Sequence, residues 1–286
     1  MTLSFGSRED PAGLAVVDPI ERRTASLSTP DVVRPSPADP DAFRFPVDDA
    51  VAVGTAAVTL PTAAAAYVRD VDGEMVASAE CGTSRELAAG AYEIELCTPV
   101  KLYLRVESSL AVSATFDRVE FAFDGETEVF VGARSRHRRP AETVTTTGDP
   151  EDLMAAVSTF GSALKTTSPE RSFPTLRGHP PTVELGDELA IPDGLDAPDT
   201  GVTVEVPADR QSVYAVSTLA YYLGAEVRPG ERPRIVTDDG FDHSLRTDRG
   251  FDAEVSRVLR QAFFLDCLTR TEGLYPVDLH ERRQVE

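Results

Sequence analysis

The amino-acid sequence predicts an α+β protein: an N-terminal antiparallel β-sandwich followed by a small α/β region, incomplete by strand count. Three observations lead there. From about Phe43 to Arg134, short runs with period-two alternation follow one another, separated by turn dipeptides. At Asp149-Pro150-Glu151-Asp152 the pattern changes to a helix start. Beyond it, strand-like and helix-like segments alternate, the order of an α/β unit.

The elements divide the chain into 1–45, 46–145 and 146–286. The first segment is punctuated by Pro19, Pro30, Pro35, Pro37 and Pro40 and reads as an extended, Pro-rich stretch, with Leu14–Val17 as one short strand. In the second, Tyr92-Glu-Ile-Glu-Leu96 and Leu102-Tyr-Leu-Arg-Val106 alternate so that one face is apolar. Asp72-Gly73 and Asp124-Gly125 read as tight hairpin turns, which need residues tolerant of positive φ. Many short strands without a helical period indicate a sandwich or barrel. In the third, Asp149 caps a helix whose stripe is Leu153, Val157, Phe160 and Leu164. Val202–Val206 is strand-like, and a helix follows to Leu223 with Gly224 as its terminator. Two short strands and a long apolar helix capped by Asp252 complete the region.

Composition narrows the function classes. There are 48 acidic against 28 basic residues, a formal net charge of −20 over 286 residues. Only Lys101 and Lys165 are lysines. A carboxylate-rich, lysine-poor chain is expected of a salt-adapted, cytoplasmic protein: molar salt shortens the Debye length to roughly 3 Å and quenches the self-repulsion such a charge brings. Nucleic acid is excluded as a default partner, because phosphate binding needs a basic face. Cys81, Cys97 and Cys267 fit no disulfide or zinc spacing and are expected to be reduced, mostly buried thiols. The uncharged run Val51–Val68 is broken by Gly54, Thr59 and Pro61, so it reads as two strands bent at Leu60-Pro61 and not as a membrane span. No signal peptide is expected at the N-terminus.

The conspicuous local feature is Arg134-Ser-Arg136-His137-Arg138-Arg139, a cationic run in an acidic chain. Charge-assisted hydrogen bonds from Arg134, Arg136, His137, Arg138 and Arg139 suit a phosphate-bearing ligand or an acidic protein partner. Pairing of these groups with neighbouring acids of the same chain is the competing reading. No catalytic set, cofactor motif or metal-ligand spacing emerges. His137, His179, His243 and His280 are not helix neighbours, and the carboxylates of Asp238–Asp242 and Asp70–Glu74 read as turns.

Three blocks, Ala155–Pro181, Ala220–Val227 and Phe264–Pro276, resemble a family of haloarchaeal proteins of unassigned function. Its longer members continue into a caspase-like domain of the CHAT type. The resemblance implies that this chain corresponds to their non-catalytic N-terminal portion, and it carries over no catalytic residue. The function expected is therefore a non-enzymatic regulatory or protein-interaction module. The alternatives are an enzyme, hydrolytic or of another class, with His179, His243 and Asp239 at a site between the domains, or a truncated remnant without activity.

Overall fold

The structure, a computed structural model, describes residues 3–273. It is α+β, as the sequence predicts, and it divides into two compact units. One runs to Arg136 and takes in the segment from Thr271; the other begins at His137 and runs to Arg270.

The first unit is all β. Its strands are β1 (Ser4–Glu9), β2 (Ala12–Asp18), β3 (Arg23–Ser28), β4 (Ser36–Pro37), β5 (Asp49–Leu60), β6 (Ala66–Arg69), β7 (Met75–Ala79), β8 (Ser84–Leu96), β9 (Lys101–Ala114) and β10 (Val119–Arg134). They pair antiparallel in one ten-stranded sheet, ordered β1-β2-β3-β5-β10-β9-β8-β6-β7, with β4 attached to β5. The N-terminal residues thus form a three-stranded meander where the sequence suggested an extended segment. Leu14, Val16, Ala25 and Leu27 recur at period two and are buried in the core, which holds β2 and β3 in register despite the prolines between strands.

One expected hairpin, at Asp124-Gly125, is absent, and neighbouring strand runs are continuous. The runs 101–106 and 110–116 belong to one long strand, as do 119–123 and 128–133. The register of β10 shifts between Ala122 and Thr127 against β5, and that of β8 shifts between Leu87 and Gly90 against β9. These irregularities lie at one level of the sheet. Asp124-Gly125, with Gly125 at φ +79°, therefore serves a bulge and not a chain reversal. The bend lets both halves of each long strand contribute to a single hydrophobic cluster, from Val51 and Val131 at one end to Val58, Val112 and Phe121 at the other. Asp72-Gly73 does reverse the chain, between β6 and β7, with Asp70 N–H donating to Glu74 O at 3.1 Å.

The second unit contains β11 (Thr143–Thr146), α1 (Pro150–Ser158), β12 (Thr182–Leu185), β13 (Val202–Val206), α2 (Arg210–Leu223), β14 (Glu226–Pro229), β15 (Arg234–Thr237), β16 (Asp242–Ser244) and α3 (Phe251–Thr269). It starts nine residues before the expected boundary at 146 because β11 pairs in parallel with β12. Its four-stranded sheet, β14-β13-β15-β16, is completed by β16, a stretch the sequence presents only as an acidic turn. Asp149 caps α1 by accepting from Glu151 N–H at 2.8 Å. The α-helix stops at Ser158, and Phe160 lies in the 3-10 turn that follows. Gly224, at φ +62°, ends α2 as expected. Gly250 takes the N-cap position of α3, leaving Asp252 in its first turn. Val213, Val216 and Leu219 of α2 are fully buried against Val204 and Val206, each contributing about 1.5–3 kcal/mol by burial. Among the described residues, no helix is long and apolar enough to cross a membrane.

Candidate functional site

The alternation that buries one face of β8, β9 and β10 gives the other face an unusual character. Ile94, Leu96, Leu102, Leu104, Val129 and Val131 enter the core. The residues between them are Glu93, Glu95, Lys101, Tyr103, Arg105, Phe130 and Arg134. The register sets Glu95 opposite Tyr103, Glu93 opposite Arg105, and Arg134 opposite Lys101. β6 adds Arg69 opposite Glu93. A face of this composition is ordinarily solvated, yet Arg69, Glu95, Lys101, Tyr103 and Arg134 are all buried.

Two segments cover it. Phe43 and Phe45 pack over Tyr103 and Ala50, and Gly132 makes room for them, since a Cβ there would stand 2.9 Å from the Phe43 ring and from Val47. The second cover is Thr271–Gly273, which places Glu272, with no exposed surface, over the cations. Glu272 Oε1 accepts from Tyr103 Oη at 2.6 Å and from Arg134 Nη2. Arg134 also donates to Tyr103 Oη at 2.7 Å and to Pro46 O at 2.8 Å. Gly273 is gripped through both backbone groups: its N–H donates to Glu95 Oε2 at 3.3 Å, and its C=O accepts from Arg69 Nη2 at 3.1 Å. Lys101 Nζ fixes Glu95 from the other side at 2.7 Å.

The result is a socket of three cations and one carboxylate that holds a glutamate side chain and the peptide group beside it. Burial raises the Glu272 carboxyl above its ordinary range, and Arg134 opposes that shift. Burial likewise keeps the Tyr103 phenol protonated far beyond neutrality, so Tyr103 acts as a hydrogen-bond donor.

The cationic run at the end of β10 is divided by this arrangement. Arg134 faces inward and spends its charge on Glu272, which is the pairing with the chain's own acids that the sequence left open. Arg136 is half-buried and donates to Thr98 O at 3.2 Å. His137 turns the chain at φ +40°, its carbonyl accepting from His179 N–H at 2.6 Å. Arg138 and Arg139 are exposed. Arg134, held inward, is therefore not available at the surface. Sequence reasoning missed Arg69, Glu95, Lys101, Tyr103 and Glu272. The one available signal was Lys101, since a lysine in a strand of a chain that otherwise uses arginine is out of pattern.

The remaining candidates have local roles. Asp70 Oδ1 accepts from Asp72 and Glu74 N–H, and Asp239 Oδ1 from Thr237 Oγ1, so both acidic runs are turns. His179 Nδ1 contacts Pro180 O at 2.7 Å. His243 Nε2 lies 3.0 Å from Glu254 Oε1, but Arg257 occupies the same carboxylate with its Nε and Nη2. That arrangement is an ion-pair cluster and not a base poised for proton transfer. Of the cysteines, Cys81 and Cys97 are exposed and Cys267 is half-buried, contrary to the expectation of buried thiols. Cys81 and Cys97 lie just past the ends of β7 and β8, where alternation no longer dictates burial. No protein-family model and no curated protein matches the chain.

Proposed function

We propose that this chain is a non-enzymatic regulatory or protein-interaction module whose β unit recognises polypeptide through a carboxylate. The observation that supports this reading is the grip on Glu272-Gly273. Four side chains from four strands converge on one acidic side chain and on both backbone groups of the next residue. Donors aimed at a carboxylate and at a peptide group suit a peptide ligand, and here the chain fills the socket with its own segment. Arg136, Arg138 and Arg139 continue the cationic run to the surface, where we assign them to an acidic protein partner. The sequence resemblance to haloarchaeal proteins bearing a caspase-like domain fits a module of this kind acting on a neighbouring domain, within a salt-adapted intracellular protein.

The test is a titration of the peptide Thr-Arg-Thr-Glu-Gly, residues 269–273, into the full chain carrying Glu272→Ala in molar salt. Saturable binding is expected because the substitution empties the socket of its carboxylate. Failure to bind overturns the reading.

A further inference from the structure

A second feature of the β unit lies apart from the Glu272 grip. The segment Ala42–Arg44 crosses β8 and β9 and leaves a cleft of about 360 Å³, lined also by Val71, Glu93 and Arg105. Both arginines in it donate to carbonyls, with the Glu93 carboxyl near enough to interact with each. Arg105 Nη1 donates to Ala42 O at 3.0 Å, and Arg44 Nη2 donates to Asp72 O at 2.9 Å. Neither makes an ion pair among the described residues. Two exposed guanidinium groups, each fixed by one carbonyl in a single cleft, are preorganised cations with donors to spare.

We infer that this cleft binds a small organic monocarboxylate, its anion on Arg44 and Arg105 and its hydrocarbon on the apolar wall. The guanidinium fork suits carboxylate and phosphate alike, and the rest of the lining decides between them. Glu93, 9% exposed, stands at the base of the cleft, and Asp70 lines its rim. A dianion beside two carboxyl groups is penalised more than a monoanion. Phe43 and Val71 give a hydrocarbon tail a surface that inorganic phosphate cannot use. The fold tolerates loss of the Arg44 side chain, because the segment is latched by its backbone: Arg44 N–H donates to Glu93 Oε2 at 2.9 Å.

Calorimetric titration of the full chain in molar salt with butyrate, acetate and inorganic phosphate tests the assignment. Butyrate is expected to saturate, with acetate about tenfold weaker for two lost methylenes and phosphate weaker still. Arg44→Gln and Arg105→Gln should each weaken butyrate about tenfold or more, the scale of a lost charge-assisted pair. Arg105→Lys, which keeps the charge but loses the fork, should weaken it as well. An unchanged melting temperature in Arg44→Gln shows that the loss is local. The inference is overturned if butyrate does not saturate, if both Gln variants bind it as the wild type does, or if phosphate matches butyrate.

Discussion

Replacing Glu272 by Gln keeps the shape of the side chain and removes its charge, which isolates what the socket does electrostatically. Arg134 and Glu272 are both fully buried, so the substitution leaves a guanidinium in a desolvated site with a weakened acceptor. Breaking one side of such a pair costs about 3–5 kcal/mol. The same figure follows from two lost charge-assisted hydrogen bonds, to Tyr103 and Arg134, at roughly 1.5–3 kcal/mol each. In a unit of about 150 residues, each kcal/mol corresponds to about 2–4 °C in melting temperature. The assay is urea unfolding in molar salt of the wild type, Glu272→Gln, Arg134→Met and the double variant Arg134→Met/Glu272→Leu. Each single change is expected to lose several kcal/mol, while the double change loses clearly less than the sum of the singles, because no unpaired charge remains and the residual cost is that of Tyr103 Oη and Pro46 O left without partners. If Thr271–Gly273 detaches locally instead of taking the unit with it, the measured loss is capped and trypsin gains access after Arg270. Single losses below about 1 kcal/mol without that cleavage, or a double variant as unstable as the sum of the singles, refute the socket as an energetic unit.

Two further outcomes follow from the packing and charge of the units. Gly132→Ala puts a Cβ 2.9 Å from the Phe43 ring and Val47, an overpacking cost of about 1–3 kcal/mol; an unchanged urea midpoint contradicts the covering of the sheet face by that segment. In the second unit, hydrogen bonding from Arg257 first, and then from His243, lowers the Glu254 carboxyl from its ordinary value of 4.5 to about 2, against burial, which raises it. The unfolded chain therefore takes up this proton at a higher pH than the folded chain does. The stabilisation is complete above about pH 4.5 and is lost as pH falls towards 2. Arg257→Gln should flatten that acid limb of the stability curve, and an unaltered limb rules out the Arg257 pair as its source.

The parts of the fold legible in the sequence are those set by local signals. The Asp149 cap, the Gly224 terminator and the alternation of Tyr92–Leu96 each depend on a few adjacent residues, and each appears where expected. The parts that were not legible depend on partners far along the chain. Asp124-Gly125 has the chemistry of a hairpin turn, but β5 and β9 run past it on both sides and leave it only the role of a bulge. Proline spacing concealed β1–β3, whose pairing is decided by Leu14, Val16 and Leu27 reaching the core. The socket was hidden for a related reason. Alternating Glu93, Glu95, Tyr103 and Arg105 describe a wet face unless something covers them, and the covers come from residues about 90 and more than 130 positions away from Arg134. Arg134 itself stood out because its sign opposes that of the chain; its inward direction is settled by the strand register with Lys101.

The central claim is that the β unit reads a carboxylate together with its adjoining peptide group. The most direct measurement compares two peptides binding to the Glu272→Ala full chain in molar salt: Thr-Arg-Thr-Glu-Gly and its Gln counterpart. The socket predicts saturable binding of the Glu peptide and affinity at least about tenfold lower for the Gln peptide, the scale of one charge-assisted contact. Equal affinity for the two, or none for either, contradicts it.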